Sequence, residues 1–561
     1  MSYGERRMSS VIVAVAPDQS GGAVVQPLGP DGAPTAEPRR VTELAAELRA
    51  QPEARWVWPS SETSYPAILD AAVRVPRCHD LEMTEALLVG AEGEWGAPRS
   101  MAAAWARLTG GPVPPDPPVR QAAPPGEAQG TLFGEPSAVA EATIEQVTGV
   151  YAAQVKRMAA TADPARFRML VAAESASALI AVEMARAGLP WHAPTHDQLL
   201  TDLLGARRPA GGPPQKLVEL TEQICESLAS PGLRPDSPAE LRRALRKAGI
   251  DVPNTRAWVL KQVEHPAIEP ILHYKELYRI WTAHGWSWRQ QWVREGRFHP
   301  AYVPGGVVSG RWATRGGGAL QIPAVLRGAV RADPGRRLVV ADAGQLEPRI
   351  LAAVSRDPGL CKAAGPGDIY TGLEGFADRA TAKIALLGAM YGQTGGQAAP
   401  ALAVLKGRYP RAWAVVEDAA RTGESGGLVR SWLGRTCPRP GAAPESEGDW
   451  FNSRDGDLRT SAGQRARGRF TRNFVIQATA AEWAATLLAL VRSRLWDVDA
   501  ELVFFQHDEV ILDCSTACAD DVAVVLQECA DEAGRLLFGS TGVHFVMDAK
   551  VVGAYSDAKP S

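Results

Sequence analysis

The sequence predicts an α+β, multidomain chain, and three observations carry that expectation. Its 561 residues exceed what one core usually organises, which gives a soft expectation of three or four domains, and 45% of them are hydrophobic. Short apolar runs of strand character, Leu338 to Ala341 and the two halves of ELVFFQHDEVILD at 501 to 513, are separated by long stretches of helical periodicity. A Pro/Gly-rich tract at 110 to 136 divides a strand-bearing front third from the remainder and reads as a linker.

Taken in chain order, residues 9 to 28 read as a β-hairpin, Arg55 to Pro59 as a short strand, and 78 to 90 as a strand end entering a helix. ESASALIAVEMARAGLPW at 174 to 191 is an amphipathic helix stopped by Gly188 and Pro190. Residues 235 to 290 look helical, and within them Lys275 and Arg279 are i,i+4 cations that suit either a solvated face or a polyanion. RRLVVADAGQLEPRILAAV reads as a buried strand that ends on Asp342, then a helix-like stretch carrying Glu347 and Arg349, with Pro348 interrupting its start. ELVFFQHDEVILD is a second hairpin hinged at Gln506-His507-Asp508-Glu509. ESEGDWFNSRDGDL at 445 to 458 is a polar excursion to which the sequence assigns no role.

Formal net charge is only −3, so bulk charge does not advertise a nucleic-acid partner, although local patches can still track phosphates. Seven cysteines lack paired spacing and read as reduced thiols, not zinc ligands. A signal peptide and an apolar run near 18 residues are both absent from the sequence, so neither secretion nor membrane insertion is expected.

The chemistry concentrates in RATAKIALLGAMYG. Arg379, Lys383, Leu387 and Tyr391 fall every four residues, and on a helix they form one slowly turning ribbon. Two cations at i and i+4 repel by a few tenths of a kcal/mol. Only ten of the 60 Lys+Arg residues are lysine, so a lysine there is unusual by composition. The arrangement makes sense if the face meets a polyanion such as a nucleoside triphosphate; taken alone, a solvated charged face fits as well. On either side of this helix, a strand leads a carboxylate, Asp342 or Asp508, into an apolar setting where an unpaired charge is costly. Two neighbouring carboxylates repel unless a cation lies between them. Mg²⁺ takes oxygen ligands, keeps several waters and is typically held by one or two carboxylates plus phosphates. Two such ions about 3.5–4 Å apart serve in-line displacement at phosphorus, so the combination points to nucleotidyl transfer.

These segments resemble the motifs of the family A DNA polymerases. DAGQLEPR at 342 to 349 resembles motif A, R-x3-K-x7-YG at 379 to 392 resembles motif B, and His507-Asp508-Glu509 resembles motif C. The order is the family's, and SGRWAT at 309 to 314, LQIP at 320 to 323 and NFVIQATAAEW at 473 to 483 agree with it. The resemblance covers roughly residues 165 to 561. It implies a right-hand polymerase of palm, fingers and thumb behind an N-terminal α/β exonuclease-like domain. The implied divisions are 1–110 for that domain, 111–140 for the linker, 141–300 for N-terminal helices and thumb, 301–360 for the first palm segment, 361–472 for fingers and 473–561 for the second palm segment.

By the same resemblance, Asp342 and Asp508 hold two Mg²⁺ ions, with Mn²⁺ as a possible substitute, and Lys383 joins them as a catalytic residue. Arg379, Lys383, Leu387, Tyr391, Glu347 and Gln345 bind the incoming dNTP, with Glu347 blocking a sugar 2′-hydroxyl. Arg311, Gln477, His507, Gly392 and Lys275 contact primer–template DNA, and Glu509 supports the primer end. The expected activity is template-directed DNA synthesis in repair or gap filling, by a monomer in the bacterial cytoplasm, associated with the nucleoid. The alternatives are a catalytically impaired DNA-binding relative or a bifunctional exonuclease and polymerase. Against the second, the first strand, VIVAVAP, lacks the D-x-E of the family's proofreading nuclease, and Asp80, Glu82 and Glu85 do not restore it. Ala343-Gly344 replaces the family's Tyr-Ser, and Leu387 stands where relatives carry an aromatic. The 37-residue spacing from Asp342 to Arg379 implies a trimmed entry to the fingers.

Overall fold

In this computed structural model the described residues are 11–18, 21–118, 142–208, 211–315, 321–392, 398–439 and 460–559. Most of the Pro/Gly-rich tract (from residue 119), Leu320 of LQIP and the excursion at 445–458 lie outside them.

The apolar run Ile12–Pro17 forms the centre of a five-stranded sheet because both of its faces are covered. Val13 and Val15 pack with Trp56, Trp58 and Tyr65 on one side, while Ala14 and Ala16 pack with Val57 and Tyr151 on the other. Ile12–Pro17 pairs antiparallel with Ala23–Leu28, as the sequence predicted, and beyond the last pair the Asp18 carboxylate accepts the Gly22 amide at 3.0 Å. Arg39–Val41 adds antiparallel on the outer edge, and Arg55–Trp58 and Arg77–Asp80 add in parallel on the other side. Helices Leu44–Ala50 and Ser61–Asp70 make the crossovers that parallel pairs require.

A second sheet organises the rest. Its order is Ala500–Gln506, Glu509–Ser515, Arg336–Ala343, Met547–Val552, with every neighbour antiparallel. The period-2 alternation of strands sends Val339 and Ala341 to one core and Leu338 and Val340 to another. The first core contains the long helix Ser461–Arg494 through Trp483 and Leu487. The second contains the helices of 193 to 284, including Ile271 and Tyr274 of Ile268–His284. The strand is therefore apolar throughout its middle, and the next polar group towards its end is the half-buried Asp342.

Two local expectations change. Pro348 does not interrupt the helix after Asp342: Leu346–Ser355 runs through it. Pro348 is the third residue of that helix, where a missing N–H forfeits no intrahelical bond. The long helix Ser461–Arg494 has an 18-residue window of mean hydropathy 1.6, long and apolar enough to cross a membrane, whereas no such run was expected. It is a core helix: 72% of that window is buried inside the protein. All seven cysteines are unpaired.

Candidate active site

The two carboxylates meet because of strand register. Strand Arg336–Ala343 lies beside Glu509–Ser515 with Asp342 opposite Glu509, so Asp508, one residue earlier in the hairpin turn, stands at the same sheet end. The Ala343 amide donates to the Asp508 carbonyl at 3.0 Å, which ties the turn to the residue after Asp342. Both carboxylates are followed or preceded by left-handed non-glycine backbone: His507 has φ 57 and Gln345 has φ 56. Such conformations cost about 1 kcal/mol or more each and gather where a site needs an imposed geometry.

Asp342, Asp508, Arg311, Glu347, Tyr391 and His507 line one cavity of about 270 Å³. Burial, and next the charge of Asp342, push the Asp508 carboxyl up to about 6, with Arg311 opposing. Asp342 itself is bound by the Lys559 ammonium at 2.6 Å, and Lys559 also donates to Glu509. Tyr555 donates to the other Glu509 oxygen, which fixes that buried side chain behind Asp342.

Glu347 sits between two groups the sequence had assigned to DNA and to nucleotide. Its carboxylate accepts the Arg311 guanidinium at 2.6 Å and the Tyr391 hydroxyl at 2.5 Å. Burial, followed by this carboxylate, drives the Tyr391 hydroxyl well above its ordinary pKa, so it remains a donor. The link joins the strand-end helix to helix Arg379–Tyr391 across the cavity.

Helix Arg379–Tyr391 starts where Asp378 caps the Thr381 amide at 2.7 Å and ends at Gly392 in the left-handed region, φ 69. Ala382, Ala385, Leu386 and Ala389 bury one face. The predicted ribbon drifts as expected: Arg379 and Lys383 are exposed, Leu387 and Tyr391 half-buried. Arg379 is paired with Asp368 through Nε at 3.1 Å and Nη2 at 2.8 Å. Lys383 has no hydrogen-bond or ion-pair partner among the described residues, so its charge is free for a ligand. A Cβ on Gly392 would lie 2.7 Å from Cγ of Arg469 in the long helix. Gly392→Ala is expected to cost on the order of 1–2 kcal/mol, read as a lowered urea midpoint. An unchanged midpoint would show that the backbone relaxes there freely.

Gln345 lines the cavity, but its amide already has internal partners: it donates to Asp368 at 2.5 Å and accepts the Ile369 amide at 2.9 Å. Gln477 is half-buried on the long helix, one turn before Ala480 and Ala481 of the cavity wall. Lys275 stands elsewhere, half-buried in helix Ile268–His284, where Nζ donates to Thr255 at 3.3 Å. Sequence reasoning missed Asp368, which gathers Gln345 and Arg379, and Lys559. Neither has a local signal, since each matters through a partner at least 11 residues away.

A divalent cation fits the donors present. Asp342 and Asp508 offer oxygen ligands whose mutual repulsion a cation relieves. Among the described residues no group of three or more Asp, Glu, His or Cys side chains is set to hold a metal by itself. Waters and phosphate oxygens would have to complete the shell, the habit of Mg²⁺.

The comparisons agree with this geometry. DNA polymerase I, thermostable, of Thermus thermophilus is 26% identical over 312 residues, covering 50% of this chain and 36% of that protein. DNA polymerase I of Lactococcus lactis is 25% identical over 370 residues, covering 57% of this chain and 40% of that protein. The matches thus span little more than a third of the length of these curated relatives. Among solved structures, the POL domain of Pol1 from M. smegmatis, in complex with DNA primer-template and dNTP, shares the fold with TM-score 0.67 and 17% identity, over 98% of this chain and 96% of that one. The family model for DNA polymerase family A matches residues 214–554, which contain both carboxylate strands, the ribbon helix and the long helix. With more than half of the sequence inside that match, the chain belongs to DNA polymerase family A.

Proposed function

We propose that the chain is a template-directed DNA polymerase that adds deoxynucleotides to a primer 3′-hydroxyl. The observation that carries this reading is the convergence of Asp342, Asp508 and the Glu347–Tyr391 link on one cavity, with Lys383 on the same helix as Tyr391. Asp342 and Asp508 would hold Mg²⁺, or Mn²⁺ in its place. Bound there, two such ions would supply Lewis acidity to the attacking 3′-oxygen and the departing pyrophosphate.

The chain's own side chains do the rest. Lys383 and Arg379 bind the triphosphate and offset its charge as pyrophosphate departs, a role for which Arg379 exchanges Asp368 for phosphate. Tyr391 closes the nascent-pair pocket and Leu387 lies beside it. Gly392 lets the template approach. Arg311, Gln477 and His507 line the DNA path in the minor groove, whose acceptors are shared by all correct pairs. Glu509, pinned by Tyr555, supports the primer end. Lys275 holds the duplex backbone from the thumb.

Glu347 is the sugar gate. A carboxylate fixed by Arg311 and Tyr391 cannot swing aside for a 2′-hydroxyl. Glu347→Ala is expected to raise incorporation of ribonucleotides relative to deoxynucleotides by about 10–10²-fold. Single-nucleotide extension with each triphosphate checks this, and an unchanged ratio would move the gate elsewhere.

We assign 301–360 and 473–561 to the palm, 361–472 to the fingers, 141–300 to N-terminal helices and thumb, and 1–110 to an exonuclease-like domain without nuclease function. The candidate acids in that domain have structural tasks, which supports the last assignment. Asp80 accepts the Ser61 and Met83 amides, Glu82 accepts the Met101 amide, and Glu85 pairs with Arg107 and Arg157. A gap-filling role for a monomer in the bacterial cytoplasm follows from this reading. The test is extension of a labelled primer on a template with dNTPs and Mg²⁺. Binding without extension would leave a DNA-binding relative, and shortening of the labelled end without dNTPs would restore the nuclease.

A further inference from the structure

Lys559 follows the short helix Tyr555–Ala558 and reaches back to the candidate metal site across 217 residues of chain. Its ammonium lies 2.6 Å from Oδ2 of Asp342 and also donates to Oε2 of Glu509. Asp342 and Glu509 are direct partners in the strand register, so one cation serves two facing carboxylates. Asp508 adds a third negative charge next to them, and Arg311, its other cation, is held by Glu347. The Lys559 side chain is one-third exposed and Asp342, which lines the cavity, slightly more, so the contact reaches solvent and can be broken without unfolding.

Resting on the proposed metal role of Asp342, we infer that Lys559 is a positioning residue that acts as a resident counter-cation. It holds the metal-free carboxylates in place and competes with the divalent ion for Asp342. The ammonium occupies one carboxylate oxygen that a metal would use, and it repels any ion approaching the other. A divalent cation must therefore displace Lys559 or bind against it. The chain thereby sets the metal concentration at which its site fills, and the displaced lysine is left beside the cleft through which polyanionic substrate enters.

The experiment is Mn²⁺ titration of the full chain by calorimetry, without DNA or dNTP, in wild type, Lys559→Met, Lys559→Gln and Lys559→Arg. Removing a unit charge in contact with the ligand oxygen is expected to tighten Mn²⁺ binding about tenfold in the Met and Gln variants. The Arg variant is expected to stay near wild type. The Mg²⁺ concentration for half-maximal primer extension should fall in parallel. Circular dichroism confirms folding, and having two neutral variants keeps the test decisive should one misfold. Equal Mn²⁺ affinity in the neutral variants, or weaker affinity, overturns the inference; weaker affinity would make Lys559 a builder of the site. Asp342→Ala separates the two claims. Mn²⁺ binding indifferent to that change sinks the metal reading itself, whereas binding that needs Asp342 and ignores Lys559 sinks only the competition.

Discussion

Primer extension is expected to fall by about 10³-fold or more in Asp342→Ala and in Asp508→Ala, the scale on which a principal charge-stabilising group matters in phosphoryl transfer. The backbone of each carboxylate is placed by the sheet: Asp342 is the penultimate residue of a strand paired on both sides, and Asp508 occupies a turn between paired strands. The fold should therefore survive both changes. Asp508 in particular is desolvated beside a like charge, so its removal relieves a cost. The expected pair of results is lost extension with a circular-dichroism spectrum and urea midpoint near wild type. Extension within tenfold of wild type in either variant would show that the carboxylate pair is not the catalytic centre.

Arg349→Ala is expected to lower stability by roughly 3–5 kcal/mol, the scale of leaving several buried carbonyl acceptors unsatisfied at about 1–3 kcal/mol each. Arg349 is 2% exposed, and among the described residues its guanidinium has no carboxylate partner. It donates instead to five carbonyls: Gly344 at 3.0 Å, Ala364 at 2.9 Å, Gly365 at 2.8 Å, and His544 and Gly367 at 2.6 Å each. These belong to the strand end after Asp342, the loop before Asp368 and the segment before Met547–Val552. The planar fork can span that fan: Nε and Nη2 serve one carbonyl each, and the two N–H of Nη1 are shared among three. The three donors of an ammonium cannot, so Arg349→Lys should recover less than half of the loss. Urea unfolding followed by circular dichroism reads both variants. A midpoint for Arg349→Ala close to wild type would mean that water replaces the guanidinium cheaply.

Much of this chain was legible before folding because the signals are local. The apolar runs at 338–341 and 501–513 became neighbouring strands, and the Gln506–Glu509 hinge became their turn. The fourfold repeat of Arg379, Lys383, Leu387 and Tyr391 became a helix capped by Asp378 and ended by Gly392. The front hairpin and the strands at 55–58 and 77–80 also form where periodicity placed them. Pro348 misled because its position within the helix, which decides its cost, depends on where the preceding strand lets the helix begin. The apolar character of the long helix is also in the sequence but was missed because Gln477 and Glu482 break it into shorter apolar runs; that it is buried in the core is what tertiary structure adds.

The sequence by itself determined the element types, the order of the motifs and the family to which they belong, since each rests on residues close together in the chain. Tertiary structure alone decided which charges meet: Glu347 with Arg311 and Tyr391, Gln345 and Arg379 with Asp368, Arg349 with five carbonyls, and Lys559 with Asp342. Long polar side chains can reach many partners, and their choice is set by strand register and helix docking between segments up to 217 residues apart. No periodicity encodes that choice.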